Sequence, residues 1–353
     1  MDQFIGCDAH KEFSVFASID EEGVYGPTRR VGHERTEFRR FLRTLPAGSS
    51  IALETSGCYY WIVDEMEAAG HRPRLAHAMT AKRRMEGRHK TDARDARGLA
   101  MLLRNGTLPE VWIPPSGLRD QRELLRWRMW LSRTRTRVKN RIHAIAQRYN
   151  VQIDVADLFG NAGRCALLER LNEIPTYSRT SLLEQLNSVD WLDNSLSECE
   201  QGLEQMLYPS LERDLLDSLP GVGKILAAVL ALEIGDIRRF AGPDHLASYA
   251  GVVAAARESA NRKYEGRCPR DCNVYLKWAF VEAGNVAATH RKRWADRHVA
   301  QLYERVKQSS KKHGKAAVAV GRHLAEASYW ILKKQEPYQE PRSQRQSLLS
   351  THG

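Results

Sequence analysis

Phe4-Ile5-Gly6-Cys7-Asp8-Ala9-His10-Lys11, near the start of this 353-residue chain, decides how its first third folds. The apolar run over 4–7 has the length of a buried strand, and a carboxylate, Asp8, closes it. Working outward, 13–19 is a second strand-like run, and 24–31 follows the turn-forming Glu21-Glu22-Gly23, so three strands succeed one another as a meander. A helical segment over 34–45 leads through Pro46-Ala47-Gly48 to another buried-looking strand, 50–54, which again ends on an acid, Glu54. A helix over 59–69, a strand over 74–78 and a helix over 91–104 follow, the last with Ala96, Leu99, Ala100 and Leu103 at helical spacing.

Strand, strand, strand, helix, strand, helix, strand, helix is the order of a ribonuclease-H-like (RuvC-like) α/β domain, predicted over 1–107. In such a sheet the strands ending at Asp8 and Glu54 are neighbours, and the last helix packs across them. Asp92 and Asp95 lie three apart on that helix and share a face. Four carboxylates are therefore expected to converge. They cannot all ionise in one cleft without cations, and oxygen ligands favour Mg2+ or Mn2+. Two such ions about 3.5 to 4 Å apart stabilise the attacking and leaving oxygens of a phosphodiester exchange. Asp8, Glu54, Asp92 and Asp95 are accordingly the candidate catalytic and metal-holding residues.

The composition points to a polyanionic partner. Lysine and arginine number 54 against 43 acids, a net charge of +11. A Pro-containing connector opens the stretch 108–212, and a long helix follows over 118–149 with Leu124, Trp127, Leu131, Val138, Ile142 and Ile145 along one face. Basic residues crowd the rest of that helix. Arg126, Arg133, Arg137, Lys139 and Arg141 are the candidate phosphate contacts, since a face of one sign repels itself unless something anionic lies on it. A second helix over 178–207 is acidic. The two are expected to pair as an antiparallel coiled-coil arm, to mediate dimerisation, or simply to pack as ordinary helices.

A third, mostly α-helical unit is expected over 213–335. It contains Leu219-Pro220-Gly221-Val222-Gly223-Lys224, which reads as a helix-hairpin-helix turn in which Gly221, Gly223 and Lys224 approach a phosphate. Arg262, Lys263 and Arg267 add basic groups near Tyr264, Tyr275 and Trp278, a mixture suited to nucleic acid. The polar tail, 336–353, is expected to be disordered. The 6 cysteines are scattered and read as reduced thiols. No apolar stretch reaches the roughly 18 to 20 residues of a membrane span, so a cytoplasmic protein is expected, without membrane partners.

Gly6-Cys7-Asp8-Ala9-His10-Lys11, Leu53-Glu54-Thr55-Ser56-Gly57 and Lys90-Thr91-Asp92-Ala93-Arg94-Asp95-Ala96 resemble the signature segments of the DEDD insertion-sequence transposases, the IS-one-ten type. That group includes the Piv-like DNA invertases and the bridge-RNA-guided recombinases. Phe240-Ala241-Gly242, the run 246–252 and Arg257-Glu258-Ser259 resemble its C-terminal transposase block. The resemblance implies Ser259 as a nucleophile that attacks the DNA backbone and forms a phosphoserine link while the metal site assists. It also implies DNA partners (element ends and target) and a structured noncoding guide RNA; since recombination pairs two DNA sites, a dimer or tetramer is expected. Two positions depart from the family: Val253-Ala254-Ala255 stands where a proline is usual, and Ala260 replaces the glycine after the serine, which narrows the conformations open to that loop. Two other readings remain at this point. One is a Holliday-junction resolvase or metal-dependent nuclease that uses water, with no role for Ser259. The other is a non-catalytic nucleic-acid-binding protein.

Overall fold

Ile5 and Cys7 turn to one side of β1 (Phe4–Ala9), Gly6 and Asp8 to the other, and this alternation organises everything around it. The computed structural model describes residues 3–85, 91–208, 210–254, 256–259, 262–266, 268–269 and 271–341, with 256–259 and 262–265 described by backbone only. The chain divides into two compact units, 1–117 and 118–353.

In the first unit, β1 pairs antiparallel with β2 (Phe13–Ile19), which pairs with β3 (Arg29–Gly32); after α1 (Arg35–Leu42), β4 (Ser50–Glu54) returns parallel to β1. Then come α2 (Tyr59–Ala68), β5 (Arg72–Ala76), α3 (Ala78–Arg84), α4 (Asp92–Arg104) and β6 (Glu110–Val111). The result is a mixed six-stranded sheet in the order β3-β2-β1-β4-β5-β6. Part of the stretch expected as a connector thus becomes a sixth strand, with Leu75 opposite Val111. The strand expected over 74–78 begins at Arg72, because β5 takes its register from β4, Ser50 opposite Arg72 and Glu54 opposite Ala76.

Two cores cover the sheet. Ile5, Cys7, Phe16, Ile51 and Leu53 meet Phe38, Leu42, Ile62 and Met66 of α1 and α2 on one face. On the other, Val15 and Ala17 meet Ala96, and Ala52 and Ala76 meet Leu99 and Leu102, so α4 covers this face. Burial of each large side chain contributes roughly 1.5 to 3 kcal/mol. Gly6 lets α4 lie this close: a Cβ there would stand 1.9 Å from the Ala96 carbonyl oxygen and 2.6 Å from the Ala100 nitrogen.

The second unit begins with a helical hairpin. α5 (Ser116–Arg148) runs antiparallel to α7 (Thr176–Met206), with α6 (Asn161–Glu169) between them in sequence. Leu131 meets Leu192, Leu196 and Cys199, and farther along Ile142 and Ile145 join a cluster with Leu182, Leu186 and Val189. Arg128–Glu200 (2.5 Å) and Arg135–Asp193 (2.6 Å) flank the seam. The remaining elements are α8 (Leu211–Asp217), α9 (Lys224–Ile234), α10 (Pro243–Tyr249), the hairpin β7 (Ala256–Ser259) and β8 (Arg262–Glu265), α11 (Val274–Thr289), α12 (His298–Ser310) and α13 (His313–Lys334). Their core is largely alanine, leucine and valine from α9, α11 and α13. Among the described residues no helix is long and apolar enough to cross a membrane.

The expected disordered tail is corrected in part. Tyr338 donates its backbone N–H to Ser218 Oγ at 2.8 Å and Glu340 pairs with Arg297 at 2.7 Å, so the start of this segment is docked on the helical core. Residues 342–353 lie outside the described residues.

Candidate active site and nucleic-acid interface

Asp8 is the next residue after Gly6 on the α4 side of β1, and α4 starts above it. Thr91 caps that helix by accepting from the Arg94 N–H at 3.3 Å, which puts Asp92 and Asp95 in its first turn. Both acids there also complement the helix dipole. His10, just past the end of β1, lies beside Asp8 and Asp92. Its backbone N–H donates to Phe13 O at 2.9 Å, its carbonyl accepts from Cys58 Sγ at 3.2 Å, and its ring packs on Phe13 with centroids 4.6 Å apart. Nε2 of the ring lies 3.2 Å from Asp8 Oδ2 and 3.4 Å from Asp92 Oδ2. Ligand atoms of Asp8, His10 and Asp92 all lie within 4.8 Å of one another, a set able to hold a metal ion.

The donor chemistry supports that fit. Among the described residues His10 Nε2, an atom closed to solvent on a partly exposed side chain, has no hydrogen-bond partner, although it lies within ion-pair distance of the Asp8 and Asp92 carboxylates. A solvent-excluded nitrogen without a hydrogen bond costs free energy unless a neighbouring charge or a metal satisfies it.

Of the four acids read from the sequence, the structure brings Asp8 and Asp92 together. Glu54 ends β4 beside them: Cys7 pairs with Leu53, and since Ala52 faces α4, alternation turns Glu54 to the same face one step beyond. Glu54 and Asp95 stay outside the three-residue set among the described residues. His10 is the residue that sequence reading missed. Its signal was present as the Asp8-Ala9-His10 spacing, since residues two apart at a strand's end share a face. Cys7, which precedes Asp8, turns into the opposite core, and burial pushes its thiol far above the usual range, so it stays protonated.

In the second unit, Ser259 ends β7 and pairs with Arg262 across the hairpin. A strand pair therefore stands where a polar loop in a helical domain was expected. Arg262 and Lys263 lie on β8, while Arg267, like Ala260, falls outside the described residues.

The basic helix is only partly available to a polyanion. Arg126, expected as a phosphate contact, instead closes on Glu233 of α9 through two bonds of 2.9 and 3.1 Å. Glu233 is 0% exposed and also accepts from Asn273 Nδ2 at 2.9 Å, so this charge belongs to the interior. Arg122 is likewise buried, donating to the Leu232 and Glu233 carbonyls. Arg133, Arg137 and Arg141 are exposed and form no ion pair among the described residues; Lys139 lies over the Phe159 ring at 4.6 Å. Arg128, Arg133 and Arg137 line a surface groove of about 430 Å³ with Met129 and Trp278. The stacked and exposed Trp127 and Trp130, centroids 4.8 Å apart, stand on the same helix.

The turn at 218–223 divides its glycines. Gly221 has φ +83° and faces the protein: a Cβ would come within 2.6 Å of the Ala283 carbonyl oxygen of α11. Gly223 and Lys224 face outward at the start of α9, with Lys224 3.8 Å from Glu204. Gly221 thus also has a packing role: its missing side chain lets the turn lie against α11.

Two family models match in sequence order. An IS110-type DEDD transposase model covers residues 5–151, the span holding Asp8, Glu54, Asp92 and Asp95, and the IS116/IS110/IS902 transposase model covers 213–300. The chain belongs to the IS110 family of DEDD transposases. Membership makes it an enzyme of DNA cleavage and rejoining. A transposase for insertion sequence element IS1111A from Coxiella burnetii is 22% identical over 344 residues, 95% of this chain and 91% of that protein. A transposase for element IS1328 from Yersinia enterocolitica is 22% identical over 219 residues, 62% of this chain and 64% of its own length.

Proposed function

We propose that this DEDD transposase cuts and rejoins DNA at the ends of its own insertion sequence in a metal-dependent reaction with Ser259 as nucleophile. The observation that carries the metal half is the meeting of Asp8 from β1 with Asp92 from α4. Six strands ordered β3-β2-β1-β4-β5-β6, with a helix across β1, support reading the first unit as ribonuclease-H-like. A divalent ion there would neutralise the carboxylates and polarise a phosphodiester oxygen. Asp8 and Asp92 would hold it, with Glu54 and Asp95 flanking as further ligands or as acceptors that orient water.

Ser259 Oγ forms a bond to phosphorus as the bond from phosphorus to one deoxyribose oxygen breaks; the serine proton is released, and the departing deoxyribose oxygen takes one up. Attack by that kind of hydroxyl on the phosphoserine then reverses the chemistry and joins a new strand. No net bond energy is lost, which suits exchange rather than hydrolysis. Arg133, Arg137, Lys139 and Arg141 of α5, with Gly223, Lys224, Arg262 and Lys263, are the proposed backbone contacts. Selection of target by base pairing with a guide RNA is the corresponding proposal for specificity, as is a dimer or tetramer that brings two DNA sites together.

Ser259→Ala and Asp8→Asn separate this from hydrolysis by water. With a labelled element end and divalent metal, Ser259→Ala should abolish both strand joining and the covalent protein–DNA species, and Asp8→Asn should abolish all cleavage. Cleavage that survives Ser259→Ala would support a water-using nuclease. Full recombination by Asp8→Asn would sink the metal reading.

A further inference from the structure

We infer that His10 is a nitrogen ligand of the divalent ion and biases the site toward Mn2+ over Mg2+. This rests on the reading that Asp8 and Asp92 hold such an ion. Three observations carry it. The His10 backbone is anchored by its N–H bond to Phe13 and by the Cys58 bond to its carbonyl, and its ring packs on the Phe13 ring beside the two acids. Its Nε2 is closed to solvent and, among the described residues, has no hydrogen-bond partner, only the two carboxylates at ion-pair distance. Its distances of 3.2 and 3.4 Å to Asp8 and Asp92 oxygens match neighbouring corners of a coordination shell. Ligands about 2.1 Å from an octahedral ion stand about 3.0 Å from each other.

The choice of ion follows from donor type. Carboxylates serve either ion, so Asp8 and Asp92 alone would discriminate little. Mg2+ holds oxygen ligands and sheds water reluctantly, whereas a first-row transition ion gains more from an imidazole. Removing the nitrogen should therefore cost Mn2+ much more than Mg2+.

The test uses the full chain without DNA at one fixed pH. Mn2+ binding is read by the loss of the free-ion electron paramagnetic resonance signal, and Mg2+ by competition. His10→Ala should raise the Mn2+ Kd about 10-fold or more, with the Mg2+ Kd changing far less, so that the Mn2+ to Mg2+ preference falls. Equal loss of both ions, or no loss, overturns the inference. A second measurement needs no variant: Mn2+ bound to the wild-type protein should show nitrogen hyperfine coupling in a pulsed experiment, and its absence also overturns the inference. Asp8→Asn keeps the two readings apart. If it binds both ions normally, the metal reading itself fails; if it loses both while His10→Ala keeps the wild-type preference, only the role of His10 fails.

Discussion

Replacing Gly6 by alanine tests whether the contact between β1 and α4 sets the geometry of the site. The new Cβ would stand 1.9 Å from the Ala96 carbonyl oxygen, where real Cβ contacts essentially never fall below 3.0 Å. Both clashing atoms, Ala96 O and Ala100 N, are helix backbone, so no side chain can swing aside. The helix must retreat by about 1 Å, an overpacking cost of about 1 to 3 kcal/mol. The same retreat carries Asp92 away from Asp8. A misplacement of about 1 Å at a reacting centre can lower turnover about 100-fold. Cleavage of a labelled element end at saturating metal, alongside thermal unfolding, reads both effects. Gly117→Ala is the control, since nothing lies within 4 Å of a Cβ there and it stands outside the site segments. Wild-type melting and wild-type cleavage in Gly6→Ala would refute the reasoning; a lowered melting temperature with unchanged turnover would refute the half that links packing to the site.

Arg126→Ala should destabilise the second unit by about 3 to 5 kcal/mol, because it strips the main partner from a carboxylate sealed from water; urea unfolding measures it, and a loss under about 1 kcal/mol would mean that Glu233 is compensated by other groups. Arg133→Ala and Arg137→Ala should each lower the slope of log affinity for DNA or RNA against log salt by about one, whereas Arg126→Ala should leave the slope unchanged. Burial, reinforced by the neighbouring His298, holds His323 below the usual histidine range, with Glu326 and Glu340 opposing the shift. Its folded form resists protonation, so its contribution is complete above about pH 6.5 and is lost as pH falls through the lowered folded value. His323→Gln should flatten that part of the stability profile, and a profile identical to wild type would dismiss the assignment.

Much of the first unit was legible in the chain. Strand 50–54 was read at its observed bounds, and the apolar spacing of Ala96, Leu99 and Ala100 marks the buried face of α4. Acids at the ends of two apolar runs were equally plain. Short elements without a strong period escaped: α3, the two residues of β6 and the β7–β8 hairpin, whose mixed polar sequence resembles a loop until each strand finds its partner.

Sequence by itself determined the charge balance, the amphipathic period of α5 and α7, the placement of Asp8 and Glu54 at strand ends, and the pairing of Asp92 with Asp95 on one helical turn. These are local properties, carried by residues a few positions apart. Only the tertiary structure decided which arginines of α5 are spent on Glu233 and the acids of α7 and which remain exposed, and that Gly221 packs on Ala283. It alone showed His10 held beside Asp8 and Asp92. Ion pairing and burial depend on partners distant in the chain: 107 residues separate Arg126 from Glu233. A charge pattern records how many cations a helix carries, but desolvation decides which of them are still free to meet a phosphate.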